Sequence, residues 1–229
     1  MTALFVTATG TDIGKTFVSA GLIAHYRAAG SSIDAIKPVV SGFDPQTWDR
    51  GPEASDPAVL LAALGRPVTP AEVERIAPWR FKAPLSPDQA AAQEGRAIVF
   101  QEVVEFCREA IAAHRGTLLI EGIGGIMVPL DDRRTVLDLM SVLRIPIVLV
   151  AGSYVGTISH SLTALEVLAR RNINVAAVAV SESAASAATL SDTVKALQHF
   201  GGGTDIVGIP RRTPDNDLAP AFAQLAALL

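Results

Sequence analysis

Cysteine is almost missing from this 229-residue sequence, which has Cys107 alone, so no internal disulfide can form and no thiolate cluster can hold a metal. With Val103, Val104 and Phe106 around it, Cys107 reads as a buried thiol in a protein of a reducing compartment. Long hydrophobic runs are absent too. Ile145 to Ala151 and Val175 to Val180 fall far short of the roughly 20 residues that span a bilayer, so they read as buried strands and no membrane partner is expected. Met1-Thr2-Ala3 runs straight into a strand-like segment without a basic n-region, and the expectation is a cytoplasmic protein. Positive charge is scarce and scattered: 19 basic against 23 acidic residues leave a formal net charge of -4, which argues against general nucleic-acid binding. Charged residues make up only 18% and hydrophobic residues 49%, enough apolar material for one continuous core and no case for disorder.

What is present alternates. Short runs rich in β-branched residues predict strands at Ala3 to Thr7, Ile33 to Ile36, Leu118 to Glu121, Ile147 to Val150, Val175 to Val180 and Ile206 to Val207. Helices are predicted over Lys15 to Ala29, Val99 to Ala113, Val136 to Leu143, Thr157 to Arg170, Leu190 to Phe200 and Leu218 to Leu228, most of them closed by glycine or proline. The alternation implies parallel βαβ construction in one domain, residues 1–229. From Ser41 to Gln93 the rhythm breaks. This segment holds Pro45, Pro52, Pro57, Pro67, Pro70, Pro78, Pro84 and Pro87 of the 14 prolines, and reads as a long irregular excursion with one short helix near Ala58 to Leu64. Such excursions from a compact sheet usually build a binding surface.

The first strand leads into Thr9-Gly10-Thr11-Asp12-Ile13-Gly14-Lys15-Thr16 and then a helix. A strand, a glycine turn and a helix in this order aim backbone N–H groups and the helix N-terminus at one point, where an anion is favoured. Lys15 would reach the β- and γ-phosphates of a nucleotide, and the Thr16 hydroxyl would ligate Mg²⁺. The expected fold is therefore an α/β P-loop NTPase-type three-layer sandwich, its mostly parallel sheet covered by helices on both faces. No G-x-G-x-x-G occurs, which disfavours dinucleotides.

Two further clusters lie at strand C-termini, where ligands bind in open α/β sheets. Lys37-Pro38-Val39-Val40-Ser41-Gly42 places a lysine there, either a solvated strand end or a charge for phosphoryl transfer. Glu121 ends an apolar strand before Gly122-Ile123-Gly124-Gly125, and such a carboxylate needs a cation partner if it is buried. Asp56 is the other candidate oxygen ligand, and hard oxygen donors suit Mg²⁺.

Together these segments resemble the dethiobiotin synthetase family over most of the chain. The likeness is carried by Thr7 to Thr16, Lys37 to Gly42, Ser55-Asp56, Ala83-Pro84-Leu85-Ser86-Pro87 and Ile120 to Gly125. The resemblance implies ATP- and Mg²⁺-dependent carboxylation of 7,8-diaminononanoate with CO₂, closing a cyclic urea through a carbamate and its phosphoric anhydride. It implies catalytic roles for Lys15, Lys37, Thr11 and Ser41, and metal ligation by Thr16, Asp56 and Glu121. Nucleotide contacts are implied at Asp12, Ile13, Gly14, Lys15, Thr16, Phe17, Asp56, Glu121, Gly122, Ile123 and Gly124, with Pro210, Arg211 and Arg212 flanking the base. A homodimer is implied, with the substrate between subunits near Ser41, Val155, Gly156 and Thr157. The chain departs from the family pattern at Ala8 and Gly10, at Ser159, and at Ser181, where members often carry an asparagine for the base.

Two other activities use similar loops. A partitioning-type ATPase switch would need an early second lysine in the loop and a basic amphipathic segment, and neither occurs; Leu218 to Leu228 has no basic residue. A cobyrinate-type amide ligase would need a glutaminase cysteine, for which the helical setting of Cys107 is unsuited.

Overall fold

The protein is described here from a computed structural model covering residues 2–44, 46–47, 50–51, 54–184 and 186–229. Pro45 and Pro52 of the proline-rich segment lie outside these. Six apolar runs become the strands β1 (Thr2–Ala8), β2 (Ile33–Ile36), β5 (Thr117–Glu121), β6 (Ile147–Gly152), β7 (Val175–Ser181) and β8 (Ile206–Ile209). They pair in parallel in the order β2-β5-β1-β6-β7-β8. Every residue of β6 is buried, as expected of a strand covered on both faces. Several strands run a residue or two past their apolar segments because the ladder sets their ends: Ser181 pairs with Ile209.

Helix placement follows from crossover handedness. From β1 the chain moves one way along the sheet, through α1 (Lys15–Ala28) to β2; from β5 onward it moves the other way, through α6 (Val136–Leu143), α7 (Thr157–Arg170) and α8 (Leu190–Phe200). Right-handed crossovers in opposite directions put the helices on opposite faces. Accordingly α1 packs with α2 (Asp56–Ala63) and α9 (Ala219–Ala226), while α5 (Phe100–Ala113) packs with α6 and α7 with α8. The expected sandwich is observed. β1 and its neighbour β6 send their helices to opposite faces, which opens a crevice beyond their C-terminal ends.

The short helix expected near Ala58 to Leu64 is α2, but from residue 56 onward the proline-rich segment holds more regular structure than expected, and that part of the expectation is corrected. It folds into α2, α3 (Pro70–Ile76) and α4 (Pro87–Gln93), with a parallel pair of short strands, β3 (Val39–Ser41) and β4 (Trp79–Phe81). Pro57, Pro70 and Pro87 stand in the first turns of these helices. There the missing N–H costs nothing, and the fixed φ favours helix. Ser55 and Thr69 cap two of them by accepting from the Ala58 and Glu72 N–H groups.

The α1–α9 contact depends on Gly21. A Cβ built there would sit 1.9 Å from Phe222 Cζ, so the ring occupies the space a side chain would need. Gly21→Ala is expected to destabilise the protein by about 1–2 kcal/mol, overpacking outweighing the gain in helix propensity. Urea unfolding checks this, and unchanged or raised stability would contradict the packing argument.

Candidate active site

The loop joining β1 to α1 is held on two sides where it leaves β1. Thr9 N–H donates to Val150 O at 3.0 Å, tying the loop to β6, and Ile126 N–H donates to Ala8 O at 3.1 Å. Two residues take left-handed backbone, Asp12 with φ 56° and Gly14 with φ 101°, and a Cβ on Gly14 would lie 2.6 Å from Ser181 Oγ. Lys15, Thr16 and Phe17 then head α1, where N–H groups lack intrahelical acceptors. Val18 N–H is the first to close a helical bond, to Gly14 O at 2.9 Å.

A cavity of about 380 Å³ opens over this loop. Thr11, Asp12, Gly14, Lys15, Thr16 and Phe17 line it from the loop and α1, and Lys37, Ser41, Asp56, Ile123 and Gly124 line it from the facing segments. Glu121, 0% exposed, does not line it but contacts two residues that do, Thr16 and Lys37. Eleven of the candidate residues thus meet around one space, though they span more than a hundred positions of sequence. Ser41 arrives as the last residue of β3, and Asp56 as the first residue of α2 behind its Ser55 cap.

Lys37 is no solvated strand end. The β2–β5 register, Ile36 opposite Ile120, carries it alongside Glu121. Its Nζ lies 2.6 Å from Glu121 Oε1, 3.0 Å from Asp56 Oδ2 and 3.2 Å from Gly122 O. Thr16 Oγ1 donates to the same Glu121 Oε1 at 2.7 Å. Burial opposes charge on Lys37, but the two carboxylates outweigh it and raise its pKa above the ordinary lysine value. For Asp56 burial also opposes ionisation, yet the charge and hydrogen bond of Lys37 hold its pKa below the usual carboxylate range. Glu121 Oε2 is buried and has no hydrogen-bond partner among the described residues. An orphaned carboxylate oxygen beside a hydroxyl and a second carboxylate is a donor set that fits Mg²⁺, which takes one or two protein carboxylates and completes its shell with phosphates and water. Lys15 differs from Lys37: among the described residues its Nζ has one acceptor, Gly10 O at 3.2 Å. Burial first, and then the nearby Lys37 charge, lower its pKa to about 8.

Beside the loop a second cavity, about 410 Å³, is lined by Ile13, Phe17, Ser181, Glu182, Arg211 and Arg212 among others. Glu182 Oε2 accepts from Arg211 N at 2.8 Å, Asn216 Nδ2 donates to Arg211 O at 2.7 Å, and the Arg212 guanidinium sits 5.9 Å from the Phe17 ring centroid. Pro210 precedes this pair just after β8 and does not line the cavity. Glu182 and Asn216 were not singled out from sequence. A carboxylate following a buried strand end was the available signal for Glu182; Asn216 had none.

An apolar groove of about 530 Å³ adjoins the first cavity at Thr11, lined also by Met127, Val128, His160, Thr163 and Val167. His160 is exposed, its Nδ1 2.9 Å from the Tyr154 hydroxyl. Val155, Gly156 and Thr157 form the entry to α7 next to this groove without lining it. The Thr157 hydroxyl is committed to Gly152 O at 2.8 Å. Cys107 is fully buried, and burial pushes its pKa up to about 12.

The AAA domain family matches residues 2–215. The ATP-dependent dethiobiotin synthetase BioD of Caulobacter vibrioides is 49% identical over 212 residues, covering 92% of this chain and 93% of its own length. That of Acidiphilium cryptum is 44% identical over 216 residues, covering 94% and 95%. Among solved structures, a ParA family ATPase from Chlorobium tepidum matches with TM-score 0.55 at 11% identity, over 99% of this chain and 98% of that one. The MinD cell division protein of Aquifex aeolicus matches with TM-score 0.55 at 12% identity, over 99% and 97%. At these identities the structural likeness concerns the fold alone.

The lowered pKa of Lys15 gives the loop a pH signature. A bound anion favours the ammonium, so nucleotide binding raises this pKa from about 8. Below that value Lys15 is already protonated and no proton is taken up. Above it, binding takes up as much as one proton, and affinity falls by up to about tenfold per pH unit. ADP titration by calorimetry at pH 7 and pH 9, in buffers of different ionisation enthalpy, checks this; equal proton uptake at both would refute it.

Proposed function

This chain belongs to the dethiobiotin synthetase family, and from that we propose that it makes dethiobiotin from 7,8-diaminononanoate, CO₂ and ATP, as a single-domain cytoplasmic enzyme. What most supports this is the meeting at Thr11 of a lysine-lined polar cavity and an apolar groove. The polar cavity suits a triphosphate, and the groove suits the aliphatic chain of a diamino acid whose amines must reach the γ-phosphate.

In the proposed sequence one amine nitrogen attacks CO₂, forms an N–C bond and loses a proton to give a carbamate. A carbamate oxygen then attacks the γ-phosphorus and ADP leaves. The second amine attacks the carbamate carbon, phosphate departs, and a five-membered cyclic urea closes. The N–H groups heading α1 and the Lys15 ammonium hold the β- and γ-phosphates. Lys37 supplies positive charge where the anhydride develops, and Ser41 and Thr11 orient the reacting end by hydrogen bonds. Thr16, Asp56 and Glu121 are the residues that would hold magnesium, which supplies charge neutralisation between the phosphates. Ile13, Phe17, Arg211 and Arg212 flank the base.

The substrate carboxylate is assigned to the Val155–Gly156–Thr157 entry of α7, whose N-terminal dipole favours an anion. Met127 at 55% and Val155 at 78% exposure, with Ile158, leave apolar surface beside the groove. A second copy of the chain covering that face, in a homodimer, would close the site. Among the described residues no helix is long and apolar enough to cross a membrane.

Purified protein with diaminononanoate, bicarbonate and Mg-ATP is expected to release dethiobiotin and ADP in equal amounts. Absence of a diamine-dependent product removes the assignment. Lys15→Ala should abolish ADP binding in a calorimeter, whereas Lys37→Ala should keep binding and lose turnover on the order of 10²-fold or more. Wild-type turnover in the latter would remove Lys37 from the chemistry.

A further inference from the structure

Lys37 cannot do what the reaction asks of it from the position it occupies. A lysine ammonium has three donors, and here Glu121 Oε1, Asp56 Oδ2 and Gly122 O stand at 2.6, 3.0 and 3.2 Å. While these contacts last, no donor remains for a phosphate or a carbamate. Two of the three partners are the carboxylates assigned to the metal. We propose that Lys37 is the resident cation of the metal-ligand set: it holds Asp56 and Glu121 in place before nucleotide arrives, and Mg²⁺ entering with the nucleotide displaces it toward the phosphates.

Burial makes this an exchange of one cation for another. Lys37 is 2% exposed and Glu121 0%, so at Glu121 water cannot take over when the ammonium leaves, whereas the Asp56 side chain is 46% exposed. A buried carboxylate stripped of its counter-charge is strongly disfavoured, and the ammonium departs only as another cation arrives. The carboxylates already converge as a metal needs them. Thr16 Oγ1 lies 2.7 Å from Glu121 Oε1, and Glu121 Oε2 is buried with acceptor capacity to spare. Lys15, with one acceptor at 3.2 Å, keeps donors free and can meet the phosphates first. Nucleotide arriving without metal would leave Lys37 locked, so charge for the anhydride is delivered only when the metal is in place. This rests on the metal-ligand assignment above and adds an order of events to it.

The exchange predicts competition. If the locked form outnumbers the open one, apparent metal affinity falls by the fraction open. Mn²⁺, read by electron paramagnetic resonance without nucleotide, should bind Lys37→Met about tenfold or more tightly than wild type. Adding Asp56→Asn to Lys37→Met should erase the gain. Equal Mn²⁺ affinity of Lys37→Met and wild type overturns the proposal, as does a gain that survives Asp56→Asn. Because Lys37→Met strips the buried Glu121 and the half-exposed Asp56 of their partner and can fail to fold, a second measurement uses wild type. Its slowly exchanging lysine ammonium signal, in ¹⁵N-detected spectra, should shift with Mg-ADP and stay unchanged with ADP and chelator. A signal indifferent to Mg-ADP overturns the proposal. Failure to form dethiobiotin would remove the substrate assignment and leave both measurements intact, whereas their failure would leave that assignment standing.

Discussion

A buried ammonium bridging two carboxylates organises the C-terminal edge of this sheet. Glu121 closes β5, which lies between β2 and β1, and the residue following β2 is Lys37. The strand register sets them side by side, and the cap on α2 brings Asp56 to the same point. Removing one partner of such a buried pair costs roughly 3–5 kcal/mol, because the remaining charge has no water to turn to. The β2–β5 pairing, the entry of the proline-rich segment and the start of α2 are thus tied to one ammonium.

Sheet order does the rest of the positioning. β1 and β6 are neighbours, and each ends in a loop whose last residue is a left-handed glycine: Gly14 with φ 101° before α1 and Gly156 with φ 99° before α7. Two helix N-termini therefore stand at one edge of the sheet on opposite faces. One overlooks a cavity with two lysines and two carboxylates, the other adjoins an apolar groove, and Thr11 belongs to both. A ligand with an anionic end and an aliphatic body can lie across the crevice with each part in a matching medium.

The proline-rich segment shows how a correct observation leads to an incomplete structure: the helix expected near Ala58 to Leu64 is α2, but α3 and α4 were not foreseen. Its prolines are real interruptions, but Pro57, Pro70 and Pro87 interrupt by starting helices. Composition does not distinguish a proline that ends an element from one that begins it. The capping residue just before it does, and Ser55 and Thr69 were legible as caps. β3 and β4, three residues each, are too short to show a period and exist because they pair with one another.

By itself the sequence determined the layered parallel fold, the phosphate loop and the family, because apolar periodicity and the Gly14-Lys15-Thr16 turn act over a few neighbouring residues. It also required a cation for Glu121, since a carboxylate ending an apolar strand cannot stand alone. Which cation answers was decided only by the tertiary structure. Lys37 and Glu121 are 84 positions apart, and their 2.6 Å contact follows from strand order and register, which no local pattern encodes. The second cavity depends on the same kind of information: Ser181 and Arg211 meet there because β7 and β8 run side by side and end together.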